Sequence, residues 1–223
     1  MIQAIYYKEW HKSRWTLLVV FFLFAATIIY ALINIAQSIR ISGIDPVWDM
    51  IVQKGTYYFG YIKYLPLAAA VLLGITQYAP EMANKRLKLT LHLPLSENKI
   101  MLTMLSYGVG LLILTFILAY WAIFAGTRYY FPTEVAQWNT SITLPWFLAG
   151  LTGYLLTAWI CIEPVWKQRI YNSLISLAIL ALFFFDVIPG AYTPSTGYLV
   201  AVTILTIGFS FLSLIRFKDG ELF

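Results

Sequence analysis

The sequence predicts an all-α integral membrane protein: six transmembrane helices preceded by an interfacial helix, with both termini in the cytoplasm. Three observations carry this prediction. The 223-residue chain is 61% hydrophobic and only 11% charged, too little charged surface to cover a soluble core. The charges are clustered, leaving charge-free windows at 15–39, 64–80, 100–127, 135–162, 170–185 and 187–215. The cations are also unevenly shared between the loops that alternate with those windows.

A helix needs about 20 mostly apolar residues to cross the hydrocarbon core. Each window holds one span, giving 16–37, 57–79, 100–124, 144–162, 171–188 and 197–215. The runs are continuously apolar and do not alternate every second residue, which favours helices over a barrel. The first run is too long for the apolar region of a signal peptide and has no small-residue cleavage site after it, so it is read as a span.

Residues 1–15 read as an interfacial helix. Ile2, Tyr6 and Trp10 fall on one line at four-residue spacing, Lys8 and Lys12 share another, and Trp10 and Trp15 suit the headgroup region. With an even number of spans, Lys8, Lys12, Arg14, Lys85, Arg86, Lys88, Lys99, Lys167, Arg169, Arg216 and Lys218 share one side. Only Arg40, Lys54, Lys63 and Arg128 lie on the other. The positive-inside rule places the first side in the cytoplasm. Cations scattered among membrane loops argue against a nucleic-acid partner.

Two external loops follow from these spans. In 38–56, Asp45-Pro46 precedes Val47, Trp48, Met50 and Ile51, a short capped turn on the outer surface. The loop between the third and fourth spans is aromatic, with Tyr129, Tyr130, Phe131, Trp138 and Trp146 forming a belt and Asn139-Thr140-Ser141 matching a sequon. The last external loop, 189–196, is tight. Between the second and third spans, residues 80–99 form a compact charged island. Leu87, Leu89, Leu91, Leu93 and Leu95 alternate like a strand, but Met82, Ala83, Arg86, Leu87 and Leu91 also share a helical face. A lone strand would leave its edges unpaired, so a short helix from Glu81 to about Leu91, ended before Pro94, is expected.

Chemistry is sparse. His11 and His92 lie in predicted cytoplasmic segments, no cluster has metal-ligand spacing, and no base is available for an intramembrane serine nucleophile. No catalytic or metal site is predicted, and the lone Cys161 excludes an internal disulfide. Asp186, near the outer end of the fifth span, is either an interfacial carboxylate or the ionisable group of a secondary carrier. Glu81 and Glu163 sit beside Pro80 and Pro164 at cytoplasmic span ends, where water is expected to reach them. No phosphate-cradling Gly-rich loop is present, so any nucleotide hydrolysis belongs to a separate polypeptide.

The basic segment Tyr7-Lys8-Glu9-Trp10-His11-Lys12-Ser13-Arg14, the six spans with both ends inside, and the loop running from Glu81 through Leu93-Pro94-Leu95-Ser96 to Lys99 resemble the type-2 ABC exporter permease family. The resemblance spans nearly the whole chain. It implies a multi-pass permease subunit of the bacterial cytoplasmic membrane, not itself an enzyme. Such a subunit would be surrounded by membrane lipid, pair with a second copy or homologous permease, and dock cytoplasmic ABC ATPase subunits that bind ATP and Mg.

It further implies that Glu81, Lys85, Arg86, Leu87, Lys88, Leu91 and His92 form the docking coupling helix. The implied substrate path lies beside the first, second and fifth spans, where Tyr30, Asn34, Tyr61, Tyr64, Ser173 and Ser176 could face it; hydrogen bonding between helices accounts for these residues equally well. Residues 189–196 are too few for the re-entrant helices of glycan exporters, which points to a small, lipidic or peptide cargo or to a partner permease that supplies missing parts. A polytopic scaffold or assembly factor and a secondary carrier are the alternatives.

Overall fold

In the first half of the helix Thr133–Ile162, side-chain hydroxyls and amides that read as loop residues are bonded inside the helix, and this lengthens it well beyond the expected span. The computed structural model describes residues 2–43, 46, 59–83, 95–185, 192 and 194–219. Regular structure among them is entirely helical: α1 (Ile2–Ser42), a 3-10 turn (Gly60–Ile62), α2 (Leu65–Ala83), α3 (Glu97–Tyr130), α4 (Thr133–Ile162), α5 (Trp166–Ala181) and α6 (Thr196–Asp219). The protein is therefore an all-helical chain. Five of these helices, all but α5, are long and apolar enough to cross a membrane. α5 has 16 residues, and the end of the expected fifth span, with Asp186, lies outside the described residues.

The expected interfacial helix is not a separate element. Residues 2–15 are the first turns of a continuous 41-residue α1. Its buried positions, Ile5, Glu9, Ser13, Val20, Phe24, Ile28, Ala31 and Ile35, recur at three- or four-residue steps, so one stripe faces the bundle along its whole length. α1 also overruns the span expected to end at 37. It stops at Gly43, whose φ of +85° suits glycine alone and whose N–H donates to the Ile39 carbonyl at 2.9 Å. Most of the expected 38–56 turn lies outside the described residues.

The aromatic external loop is corrected too. α3 runs to Tyr130 and α4 starts at Thr133, leaving Phe131 and Pro132 as the connection. Thr140 Oγ1 donates to the Ala136 carbonyl at 2.6 Å and Thr143 Oγ1 to the Thr140 carbonyl at 2.7 Å, so these polar groups are satisfied one turn back without leaving the helix. Asn139 is buried in α4, with Nδ2 on the Val135 carbonyl at 3.3 Å, and its sequon is inaccessible. α2 likewise continues through Pro80, so Glu81 belongs to its last turn. Residues 84–94, and with them the rest of the expected coupling helix, lie outside the described residues.

α4 is the central helix. Of its most apolar window 78% is buried, against 22% for α1, because α2, α3, α5 and α6 all pack on it. The main core joins α1 to α4 around Phe24, Phe116 and Phe147, with ring centroids 5.2–6.4 Å apart. A smaller core of Ala149, Phe183 and Leu199 closes one end of the α4–α5–α6 side.

Glycine allows two of the close approaches. A Cβ on Gly150 would lie 2.9 Å from the Pro66 carbonyl oxygen, and one on Gly108 would lie 2.0 Å from the Tyr154 hydroxyl. Gly110, two residues on, has nothing within 4 Å. Gly108→Ala is therefore expected to destabilise the protein by about 1–3 kcal/mol through overpacking. Gly110→Ala should be neutral or slightly stabilising, since alanine is the better helix former. Thermal unfolding of the two variants in detergent, followed by tryptophan fluorescence, checks the contrast.

Candidate functional site

The start of α1, the end of α2, the start of α3, the end of α4, the start of α5 and the end of α6 gather at one end of the bundle. Two buried polar junctions hold them there. The first is built around Lys12 of α1. Its Nζ donates to Glu81 Oε1 of α2 at 2.7 Å and to the Gln77 carbonyl at 3.2 Å, and it lies 2.8 Å from Glu9 Oε1. Lys8 Nζ adds a second ion pair to Glu81 Oε1 at 2.9 Å.

Two ammonium groups thus balance two carboxylates. Glu9 is fully buried and Glu81 is 1% exposed, so water does not reach Glu81 as the sequence suggested. Buried charge is tolerated only when compensated, and the Lys12 ammonium is the ion-pair partner of both acids, hydrogen-bonding Glu81 and lying in ion-pair contact with Glu9. It also supplies a positive group near the C-terminal carbonyls of α2, where the helix dipole favours one.

Neutral groups extend this junction inward. Ser13 Oγ donates to the Glu9 carbonyl at 2.9 Å and lies 2.6 Å from the Tyr107 hydroxyl of α3. Gln77 Nε2 donates to the Met104 carbonyl at 2.9 Å, while Gln77 Oε1 accepts from the Tyr154 hydroxyl of α4 at 2.7 Å. Tyr154 in turn lies 3.1 Å from the Tyr78 hydroxyl. Each group belongs to a different helix from its partner or turns the chain of bonds toward one, so α1 to α4 are cross-linked by hydrogen bonds at this end.

The second junction centres on Glu163, in the short connection between α4 and α5. It too is fully buried, contrary to the water-exposed position expected for it. Glu163 Oε2 accepts from Ser213 Oγ of α6 at 2.5 Å and from Asn172 Nδ2 of α5 at 3.5 Å, and Arg216 of α6 lies 3.5 Å away. Arg169 Nε donates to the Glu163 carbonyl at 2.6 Å. This carboxylate holds α4, α5 and α6 together.

The residues that the resemblance assigned to a substrate path are dispersed. Tyr30 and Tyr61 meet edge to face at 5.2 Å on an exposed surface, and Tyr64 stacks on Phe184 at 5.1 Å. Asn34 is half-buried. Ser173 Oγ donates to the Arg169 carbonyl at 2.7 Å, and Ser176 is buried. Of the docking residues, only Glu81 is described; Lys85, Arg86, Leu87, Lys88, Leu91 and His92 lie outside the described residues.

Sequence reasoning missed Glu9, Gln77, Tyr107 and Tyr154. One signal was present: Glu9 is the lone acid among the basic residues of 1–15, as Glu163 is in the connection from α4 to α5. Among the described residues no group of His, Cys, Asp or Glu side chains could hold a metal ion. No family model, curated protein or solved structure matches the chain.

Replacing Lys12 by methionine strips Glu9 of its ion pair while leaving Lys8 on Glu81. Lys12→Met should cost about 3 kcal/mol, the scale for removing one partner of a buried pair. Adding Glu9→Gln removes the stranded charge and should restore part of that loss. Unfolding of wild type, both single variants and the double variant in detergent completes the cycle.

Proposed function

We propose that the chain is the permease subunit of an ATP-driven exporter in a bacterial cytoplasmic membrane. In this reading six spans place both termini in the cytoplasm. A second permease completes the path, and separate ATPase subunits bind ATP and Mg. The observation that carries the reading is the Lys12 junction. A loop that passes motion from a soluble motor to membrane helices must leave from a rigid anchorage, since a floppy one would dissipate the displacement. The basic segment 84–94 follows directly on the last turn of α2, and that turn is locked to α1 by Lys8 and Lys12.

Glu81 then anchors the docking segment, while Lys85, Arg86, Leu87, Lys88, Leu91 and His92 provide its contact with the ATPase. The sequence supports the division of labour, because it contains no Gly-rich phosphate loop of its own.

Purification in mild detergent from the native membrane should bring down a stoichiometric soluble ATPase. Leu87→Asp combined with Leu91→Asp should abolish that association without lowering the unfolding temperature. Recovery of an envelope complex with no ATPase would favour an assembly factor, and an unaltered association in the double variant would remove the docking role from segment 84–94.

A further inference from the structure

The α4–α5–α6 side is joined by polar groups to an extent that its membrane setting makes costly. Among the described residues of α5, only Asn172 and Ser176 are buried, one helical turn apart on one face. On α6, Thr203, Thr206, Ser210 and Ser213 are buried at steps of three, four and three, again a single face. Both faces turn toward α4.

Part of this seam is ordinary helix-to-helix bonding. Thr152 Oγ1 of α4 lies 2.8 Å from Thr203 Oγ1, Ser210 Oγ donates to the Leu155 carbonyl at 3.4 Å, and Ser213 reaches Glu163. Two atoms break that pattern. Ser176 Oγ, in a residue 4% exposed, and Glu163 Oε1, in a residue fully buried, meet no hydrogen-bond partner among the described residues. Asn172, which bonds the other oxygen of Glu163, lies one turn from Ser176, so both atoms belong to one stretch of the seam. Buried polar atoms are nearly always paired, and two unpaired ones along one stretch of a seam mark a surface made for something else to bond.

We infer that the α4–α5–α6 seam is a binding cleft for a neutral, hydroxyl-bearing solute or headgroup, entered from the Glu163 end. This deepens the permease reading and rests on it for the direction of transport. Local charge selects the ligand class. Arg216 beside the carboxylate and Arg169 on the Glu163 carbonyl offset the negative charge, so a cation gains little. The unpaired carboxylate oxygen accepts only and repels an anion. One hydroxyl of the ligand can donate to Glu163 Oε1 while another donates to or accepts from Ser176 Oγ, and the Thr206 and Ser210 hydroxyls can rotate to exchange partners along the same face.

Substituted-cysteine labelling of the full chain in membrane vesicles, in a Cys161→Ala background, tests the inference. Ser176→Cys and Ser210→Cys should react with a water-soluble, membrane-impermeant thiol reagent from one face. Leu177→Cys, on the exposed apolar face of α5, should not. Sorbitol should slow the reaction several-fold, and choline chloride and sodium sulfate should leave it unchanged. Slowing by glucosyl diacylglycerol in the vesicles and not by sorbitol would assign the hydroxyls to a lipid headgroup and equally uphold the cleft.

Unreactive cysteines at both seam positions would overturn the proposal. So would protection by choline or sulfate, or protection by neither hydroxylated probe. The readout needs no ATPase: labelling that persists in a chain with no ATPase partner refutes the exporter and spares the cleft.

Discussion

One ammonium group between two buried carboxylates organises this protein. Lys12 reaches Glu9 on its own helix and Glu81 on α2 at ion-pair distance, and bonds a carbonyl of α2 as well. Because isolated charge is so costly away from water, the three side chains have few alternative arrangements that leave none of them stranded. The junction therefore fixes the register between α1 and α2. Everything behind it, from Gln77 to Tyr154, is placed by that register, and Gly108 is small because the Tyr154 hydroxyl occupies the space a side chain would need.

The helical class and the positions of most spans were legible because apolar runs of that length leave a membrane chain few options. The ends were not. Asn139, Thr140, Ser141 and Thr143 carry the composition of a loop, but in a helix their side chains can bond carbonyls three or four residues back. Composition cannot distinguish those two uses of a hydroxyl. Pro80 misled in a similar way, since a proline that often ends a helix sits inside α2 here, one residue before an ion pair that holds the last turn in place. Gly43, just past the end of α1, carried a stop signal that the expected end at 37 passed over.

The polar junctions were the least legible features. Glu81 and Glu163 each read as an acid near water because each stands beside a proline at a span end, and Glu9 was not singled out. Their burial depends on which helices meet, a property of the assembled bundle and not of any one segment. Pairing of α1 with α2, or of Glu163 with α6, links residues separated by 50 to 73 positions, beyond any local pattern.

The two cores differ in a way that bears on how the chain is put together. Among the described residues, the large one is built mainly by α1 to α4 with Leu214 of α6 and nothing from α5, and the small one has three buried residues. A chain emerging from its amino terminus can therefore assemble most of the large core once α4 is made, before α5 exists, and Leu214 joins it when α6 docks. The last two helices then arrive at a largely formed surface and are fastened by Glu163, Asn172, Ser213 and the threonines. Biogenesis ends in hydrogen-bond matching where it began in burial, so the carboxy-terminal hairpin is the part whose docking a hydrocarbon layer, itself without donors, can neither compete for nor replace.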